Sequence, residues 1–257
     1  HPLKAWPELF KGREDFVRID TGYGRGHHDK VRTAGVHSKF GVPLFEMDEL
    51  QKLLKDVGAK VVGLHAHAGS GVFTVENWKQ VGDTLVELTS RFKDVHVIDL
   101  GGGLGVPERL GQPGVVLAEF GATLAALKAA HPKISFWIEP GRYLVAEAGV
   151  LLATVTQLKG KGEVNYVGVA TGMNSLIRPA LYGAHHEILN LSRLDANPTE
   201  VVNVVGPICE SGDQLGVDRL LPPTEEGDVL LIATAGAYGR SMSSTYNLWE
   251  PAVEVVV

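Results

Sequence analysis

The sequence predicts an α/β protein whose residues 1–144 build strand–helix units of a parallel sheet, open or closed, and whose residues 145–257 form a mostly β domain. Three observations predict this. Short β-type apolar runs alternate with segments of helical spacing; each of those runs ends in polar or glycine-rich residues; and after Arg142 β-branched runs bounded by Gly, Pro and Asp take over.

The β-type runs are "DFVRID" (15–20), "VVGLHAH" (61–67), "VHVIDLGGG" (95–103) and "ISFWIEPGR" (134–142). Between them, "PLFEMDELQKLLKDVG", "VENWKQVGDTLVELTSRF" and "VVLAEFGATLAALKAAH" repeat apolar residues every three or four positions, the spacing of a helix with one buried face. The second part reads as "AGVLLATVTQLKG", "VNYVGVATG", "EVVNVVGPICESGD" and "GDVLLIATAGAYG". No internal repeat or low-complexity tract is visible.

Composition narrows the class of function. The 257 residues are 44% apolar, enough to bury a large core, and carry a formal net charge of −6 without a basic run, which leaves no electrostatic footprint for nucleic acid or an anionic membrane. Small-molecule chemistry is the default. The single cysteine, Cys209, excludes a disulfide scaffold. No apolar stretch approaches the roughly 20 residues that span a bilayer, and the first residues have no signal-peptide core, so a cytoplasmic location is expected.

In a parallel α/β sheet ligands sit at the carboxyl ends of strands, so "TGYGRGHH", "AHAGSG", "GGGLG" and "EPGR" together predict the site. His65 and His67 share a face if the extended conformation continues through both, which suits either a metal or the lining of a barrel. Gly101, Gly102 and Gly103 let backbone N–H groups approach an anion without Cβ interference, and Ser70 adds a hydroxyl in a neighbouring loop. The spacing is not that of a dinucleotide fingerprint, since Glu119, the acidic residue that follows, falls in a helix. Glu139, stopped by Pro140 at the mouth, either pairs with Arg142 or keeps a ring nitrogen protonated, as a pyridine cofactor requires. Arg178 suits two-pronged carboxylate binding, with Tyr182 nearby in sequence, and Cys209 can move a proton, with Glu210 and Asp213 close behind it.

In order along the chain, "HAHAGSG", "GGGLG", "EPGR", "RPALY", "CESGD" and "AGAYGRSMSSTYN" resemble the fold-type III pyridoxal-phosphate decarboxylases. "GMNSLIRPALYGAHHEI" is most similar to the diaminopimelate branch, and "SKFG" at Ser38 also fits. The resemblance covers nearly the whole chain and implies the later part of an alanine-racemase-like (β/α)8 barrel followed by the β domain.

It also implies roles. His67 stacks on the ring of pyridoxal 5'-phosphate; Ser70, Gly101, Gly102, Gly103 and Gly141 hold its phosphate; Glu139 pairs with the pyridinium nitrogen; and no metal takes part. Arg142, Arg178 and Tyr182 bind substrate carboxylates, Glu210 contacts the distal amine, Tyr238 closes over cofactor and substrate, and Cys209 returns the proton after carbon dioxide leaves. The "CESGD" segment comes from the partner of a homodimer. His65 is expected to be a packed interior residue, and the His27 and His185 pairs have no assigned role.

One departure stands against these matches. The family's Schiff-base lysine, in a Y-A-x-K motif, has no counterpart here; Lys4 is a poor candidate and Lys39 matches a position with another role. Fewer βα units precede Arg142 than a closed barrel needs. The expectation is therefore a stretch of a longer protein, inactive by itself, with a texture also similar to the decarboxylase half of fused aspartate kinase and diaminopimelate decarboxylase proteins. The reaction expected is meso-diaminopimelate to L-lysine. The alternatives are a related decarboxylase of ornithine, arginine or carboxynorspermidine, and an inactive homologue that binds cofactor or partner proteins. A substrate without a second carboxylate leaves Arg178 uncompensated, which ranks the first alternative lower.

Overall fold

The computed structural model describes residues 2–22, 25–26, 38–67 and 69–257, with the backbone alone at 25–26. Contacts divide them into two compact units: His1–Gly105 with Gly114–Gly141, and Val106–Pro113 with Arg142–Val257.

The first unit is a parallel sheet with helical crossovers. Strands β1 (Glu14–Asp20), β2 (Lys60–His65), β3 (Val97–Asp99) and β4 (Ser135–Trp137) lie side by side in that order, and Val42–Pro43 pairs with the outer edge of β1. Helices α1 (Met47–Val57), α2 (Glu76–Leu88) and α3 (Leu117–Ala130) fall within the three segments of helical spacing. Each buries a stripe: Met47, Leu50 and Leu54; Trp78, Val81 and Leu85; Phe120 and Leu127. Gly58 ends α1 in the left-handed conformation, its N–H bonded to the Leu54 carbonyl.

The strand register positions the site. Arg18 pairs with His65, His65 with Asp99, and Asp99 with Trp137, so one row of the sheet crosses all four carboxyl ends. Partners in a parallel register present their side chains to the same face.

The second unit is a six-stranded sheet, antiparallel except for one pair. It is built from β5 (Leu151–Lys161), β6 (Val164–Val169), β7 (Ile188–Asn190), β8 (Glu200–Val205), β9 (Gln214–Leu221) and β10 (Val229–Ile232), in the spatial order β7-β10-β5-β6-β8-β9. The parallel pair is β6 and β8. Alternate residues along these strands point into the core, where Ala153, Val155, Val167, Val169, Val202, Val204, Leu215, Leu230 and Ile232 pack together. The segment 106–113 belongs here because Glu108 pairs with Arg178 and the Leu110 N–H donates to Glu187 at 2.9 Å. The sequence boundary at 144/145 falls within the short helical stretch that opens at Gly141. Among the described residues no helix is long and apolar enough to cross a membrane.

Candidate active site

In the first unit the strand ends are tied to one another by backbone bonds. Ala66 N–H donates to the Asp99 carbonyl, Leu100 N–H to Trp137, Glu139 N–H to Gly101, and Val72 N–H to Gly103. Residues from three separated motifs are thereby gathered: "HAHAGSG", "DLGGG" and "IEPGR".

His67 differs from the expectation of one continuous strand. β2 ends at His65, and two residues later the His67 ring has turned to accept the Gly102 N–H through Nδ1 at 3.0 Å. The neutral ring then carries its proton on Nε2. Burial, then the charge of Arg18, push the His67 pKa down to about 4, so the ring is neutral at physiological pH. His65 stays in the strand and is mostly buried; its Nε2 lies 3.4 Å from Glu139 Oε2. Its neighbour there is the Glu139 carboxylate.

Gly101 and Gly103 have φ of +67° and +97°, and a Cβ on Gly102 would overlap the Glu139 carbonyl oxygen. Glycine is required by sterics here. Two of the N–H groups are engaged within the protein: Gly101 donates to Asp99 Oδ1 at 2.9 Å and Gly102 to His67. These glycines permit close packing of the strand ends. Trp78, buried beneath them, donates from Nε1 to the Gly102 carbonyl at 3.2 Å and meets Phe120 edge-on at 5.1 Å.

Glu139 is exposed at the sheet end, its side chain 54% accessible, and around Gly141 there is open space where a side chain would stand. The set suits a flat, anionic, nitrogen-containing ring: a neutral imidazole face, a carboxylate for a ring N–H, and glycine backbone with the Ser70 hydroxyl for a phosphate. His65, Asp99 and Glu139 also bring one possible metal-ligand atom each to within 4.8 Å of one another. Glu139 belongs to both sets. Arg18, whose proton affinity is lowered by burial and raised by Glu139, is a member of this neighbourhood that sequence reasoning missed. A cation inside the apolar run "DFVRID" was the available signal.

In the second unit a cationic group forms around Arg178. Arg178, at the start of the short helix Arg178–Tyr182, is buried; its Nη2 donates to Glu108 Oε1 at 3.0 Å and its Nη1 to His186 Nε2 at 3.0 Å. Arg142 stands nearby: burial, then the charge of Arg178, lower its proton affinity, while Tyr238, Glu108 and Tyr182 raise it. The Arg142 guanidinium carbon sits 5.4 Å from the centre of the Tyr238 ring. The four predicted residues Arg142, Arg178, Tyr182 and Tyr238 therefore come together. Glu108 and His186 join them unpredicted; nothing in "VPERLG" marks the glutamate, and His186 is half of the pair left unassigned. The other half, His185, contacts Arg219 and Glu187.

Tyr238 has φ of +60°, a left-handed conformation unusual for an aromatic residue. Cys209 and Glu210 are exposed on a turn beyond β8. That turn is anchored by Asp213, which is buried and accepts the Met173 N–H at 2.5 Å and the Ile208 N–H at 2.8 Å; burial pushes its carboxyl pKa up against those bonds. A Cβ on Gly172 or Gly206 would collide with this carboxylate. Lys4 forms an exposed ion pair with Glu49, and Lys39 lies over the Phe40 ring. The His27 pair lies outside the described residues.

The first unit thus holds a strand-end set suited to a phosphorylated ring, and the second a cluster of arginine side chains. A family model described as "Pyridoxal-dependent decarboxylase, C-terminal sheet domain" matches residues 19–236, and the chain belongs to that family. It is 39% identical over 253 residues to a diaminopimelate decarboxylase of Methanothermobacter thermautotrophicus, covering 93% of this chain and 58% of that protein. It is 37% identical over 258 residues to that of Escherichia coli K12, covering 93% and 61%. Among solved structures, diaminopimelate decarboxylase from Helicobacter pylori complexed with L-lysine is 30% identical with a TM-score of 0.82, covering 95% of this chain and 63% of that one. The chain thus spans about three fifths of the length of such relatives.

Proposed function

We propose that this chain forms part of a pyridoxal-phosphate-dependent carboxy-lyase that converts meso-diaminopimelate to L-lysine. The observation that carries the cofactor reading is the strand-end set in which neutral His67, exposed Glu139 and the glycine turns stand together. The substrate reading rests on the likeness to diaminopimelate decarboxylases and on a buried arginine suited to a second carboxylate.

Each residue has a task. His67 packs its flat neutral face on the cofactor ring; Ser70 and Gly103, with Gly101, Gly102 and Gly141 shaping the turn, hold the phosphate; Glu139 keeps the ring nitrogen protonated. When bound, pyridoxal phosphate supplies the electron sink that stabilises the carbanion left by carbon dioxide. Arg142, Arg178 and Tyr182 bind the substrate carboxylates and Glu210 the distal amine. Tyr238 covers the site, and Cys209 delivers the proton to the carbon. The working form is a homodimer in which the turn at 209–213 serves the partner's site, in the cytoplasm, where a lone exposed thiol stays reduced.

The test is product analysis of the gene product containing this chain, supplied with pyridoxal phosphate. Lysine and carbon dioxide from meso-diaminopimelate, with none released from ornithine or arginine, are expected; Glu139→Gln should lower kcat by a hundredfold or more, in the range of about 10²–10⁴ typical of proton-managing groups. Turnover of ornithine in preference to diaminopimelate would overturn the substrate reading. Full activity in Glu139→Gln would overturn the cofactor geometry.

A further inference from the structure

We infer that His186 is a positioning residue for Arg178, holding its guanidinium in place without neutralising it. The inference rests on the reading of Arg178 as a substrate-carboxylate arginine. Arg178 is only 4% exposed, and a buried guanidinium needs acceptors for its N–H groups. Two acceptors are present, and they differ in charge. Glu108 takes one hydrogen of Nη2 and compensates charge; His186 Nε2 takes one hydrogen of Nη1 and adds no charge.

The imidazole is held more firmly than the carboxylate. His186 is fully buried, and its Nδ1 donates to the Ala233 carbonyl at 2.8 Å. The Ala233 N–H in turn donates to the Glu187 carbonyl at 2.8 Å, so the acceptor of the His186 proton is fastened to the chain beside His186 itself. With its proton committed to Nδ1, the ring presents a lone pair at Nε2, directed at Arg178. Burial pushes the His186 pKa down to about 4, opposed by the Ala233 bond, so at neutral pH the ring remains an acceptor.

A second carboxylate in the position of His186 would hold the guanidinium equally well but would cancel the charge an incoming carboxylate needs. As built, Arg178 has one charged partner, Glu108, and one uncharged partner, His186. One hydrogen remains on each terminal nitrogen of Arg178 beyond these two bonds. A neutral acceptor thus directs the arginine without placing a second negative charge on it.

The experiment compares L-lysine with cadaverine, which is lysine without its carboxylate, binding to the full chain by calorimetry. A direct hydrogen-bond measurement accompanies it: the 15N–15N coupling between Arg178 Nη1 and His186 Nε2. Wild type should show the coupling and prefer L-lysine. His186→Leu should lose about five- to tenfold of that preference, the factor expected from one net hydrogen bond. His186→Gln, which can both donate to Ala233 and accept from Arg178, should restore it, whereas a purely structural role would weaken both ligands alike. Preference lost in Arg178→Ala but unchanged in His186→Leu would overturn the positioning role and leave Arg178 as the clamp. Preference unchanged in Arg178→Ala, or absent from wild type, would overturn the clamp reading itself. Should His186→Leu fail to fold, absence of the coupling in wild type would overturn the inference without any variant.

Discussion

The Gly102 N–H donates to Nδ1 of His67 at 3.0 Å, joining two turns that are 35 residues apart in sequence. One bond therefore orients the ring, selects its tautomer and requires that it be neutral. It also couples the shape of the glycine turn to the flat face offered to a ligand.

Stability should fall in acid through this ring and through His186. Both pKa values are pushed down to about 4 in the folded state, against 6.5 in the unfolded chain. Below pH 6.5 the unfolded state binds more protons, so stability is fully retained above 6.5 and lost progressively toward pH 4. Replacing His67 by Gln should flatten that fall in urea unfolding free energies measured from pH 7 to pH 4. An unchanged slope would show that folding does not lower the proton affinity of this ring.

Two glycine substitutions should separate folding from cofactor binding. Gly102→Ala places a methyl group against the Glu139 carbonyl and should destabilise by about 2–3 kcal/mol, the cost of a steric clash with backbone that must shift. Gly141→Ala meets open space and should leave thermal stability within about 0.5 kcal/mol. It should still weaken pyridoxal phosphate binding, followed by fluorescence titration, because the methyl group stands where a phosphate is proposed.

Tyr238 holds a left-handed backbone and a stacked Arg142. Tyr238→Asn should unfold within about 1 kcal/mol of the parent, because asparagine tolerates this conformation and offsets the lost ring contact. Tyr238→Val, β-branched, should lose about 2 kcal/mol more. Thermal unfolding of the two variants decides between backbone and side-chain causes.

Asp213→Ala should cost about 2–4 kcal/mol, because it strips the acceptors from two backbone N–H groups at once. The turn carrying Cys209 should loosen with it. Hydrogen exchange at Ile208 and Met173 is the direct readout, with faster exchange expected at both.

Much of this was legible in the sequence. Strand and helix periodicities located β1 to β4 and α1 to α3 because amphipathic spacing is a local property, imposed by which face is buried. The site residues Arg142, Arg178, Tyr182 and Tyr238 came from motifs, and the structure gathers them. Glu108 escaped because its loop has no pattern; its role depends on Arg178, 70 residues away. The bend between His65 and His67 escaped because a single hydrogen bond to a distant glycine decides it.

By itself the sequence determined the order of strands and helices and the residue types at each strand end. Each of these follows from local sterics and apolar spacing. Only the tertiary structure decided which polar atoms meet: the tautomers of His67 and His186, the pairing of Arg178 with Glu108, and the row from Arg18 through His65 to Asp99. The physical reason is that burial withdraws water, so a buried polar group must find its partner within the folded chain, and that partner is set by packing rather than by sequence neighbours.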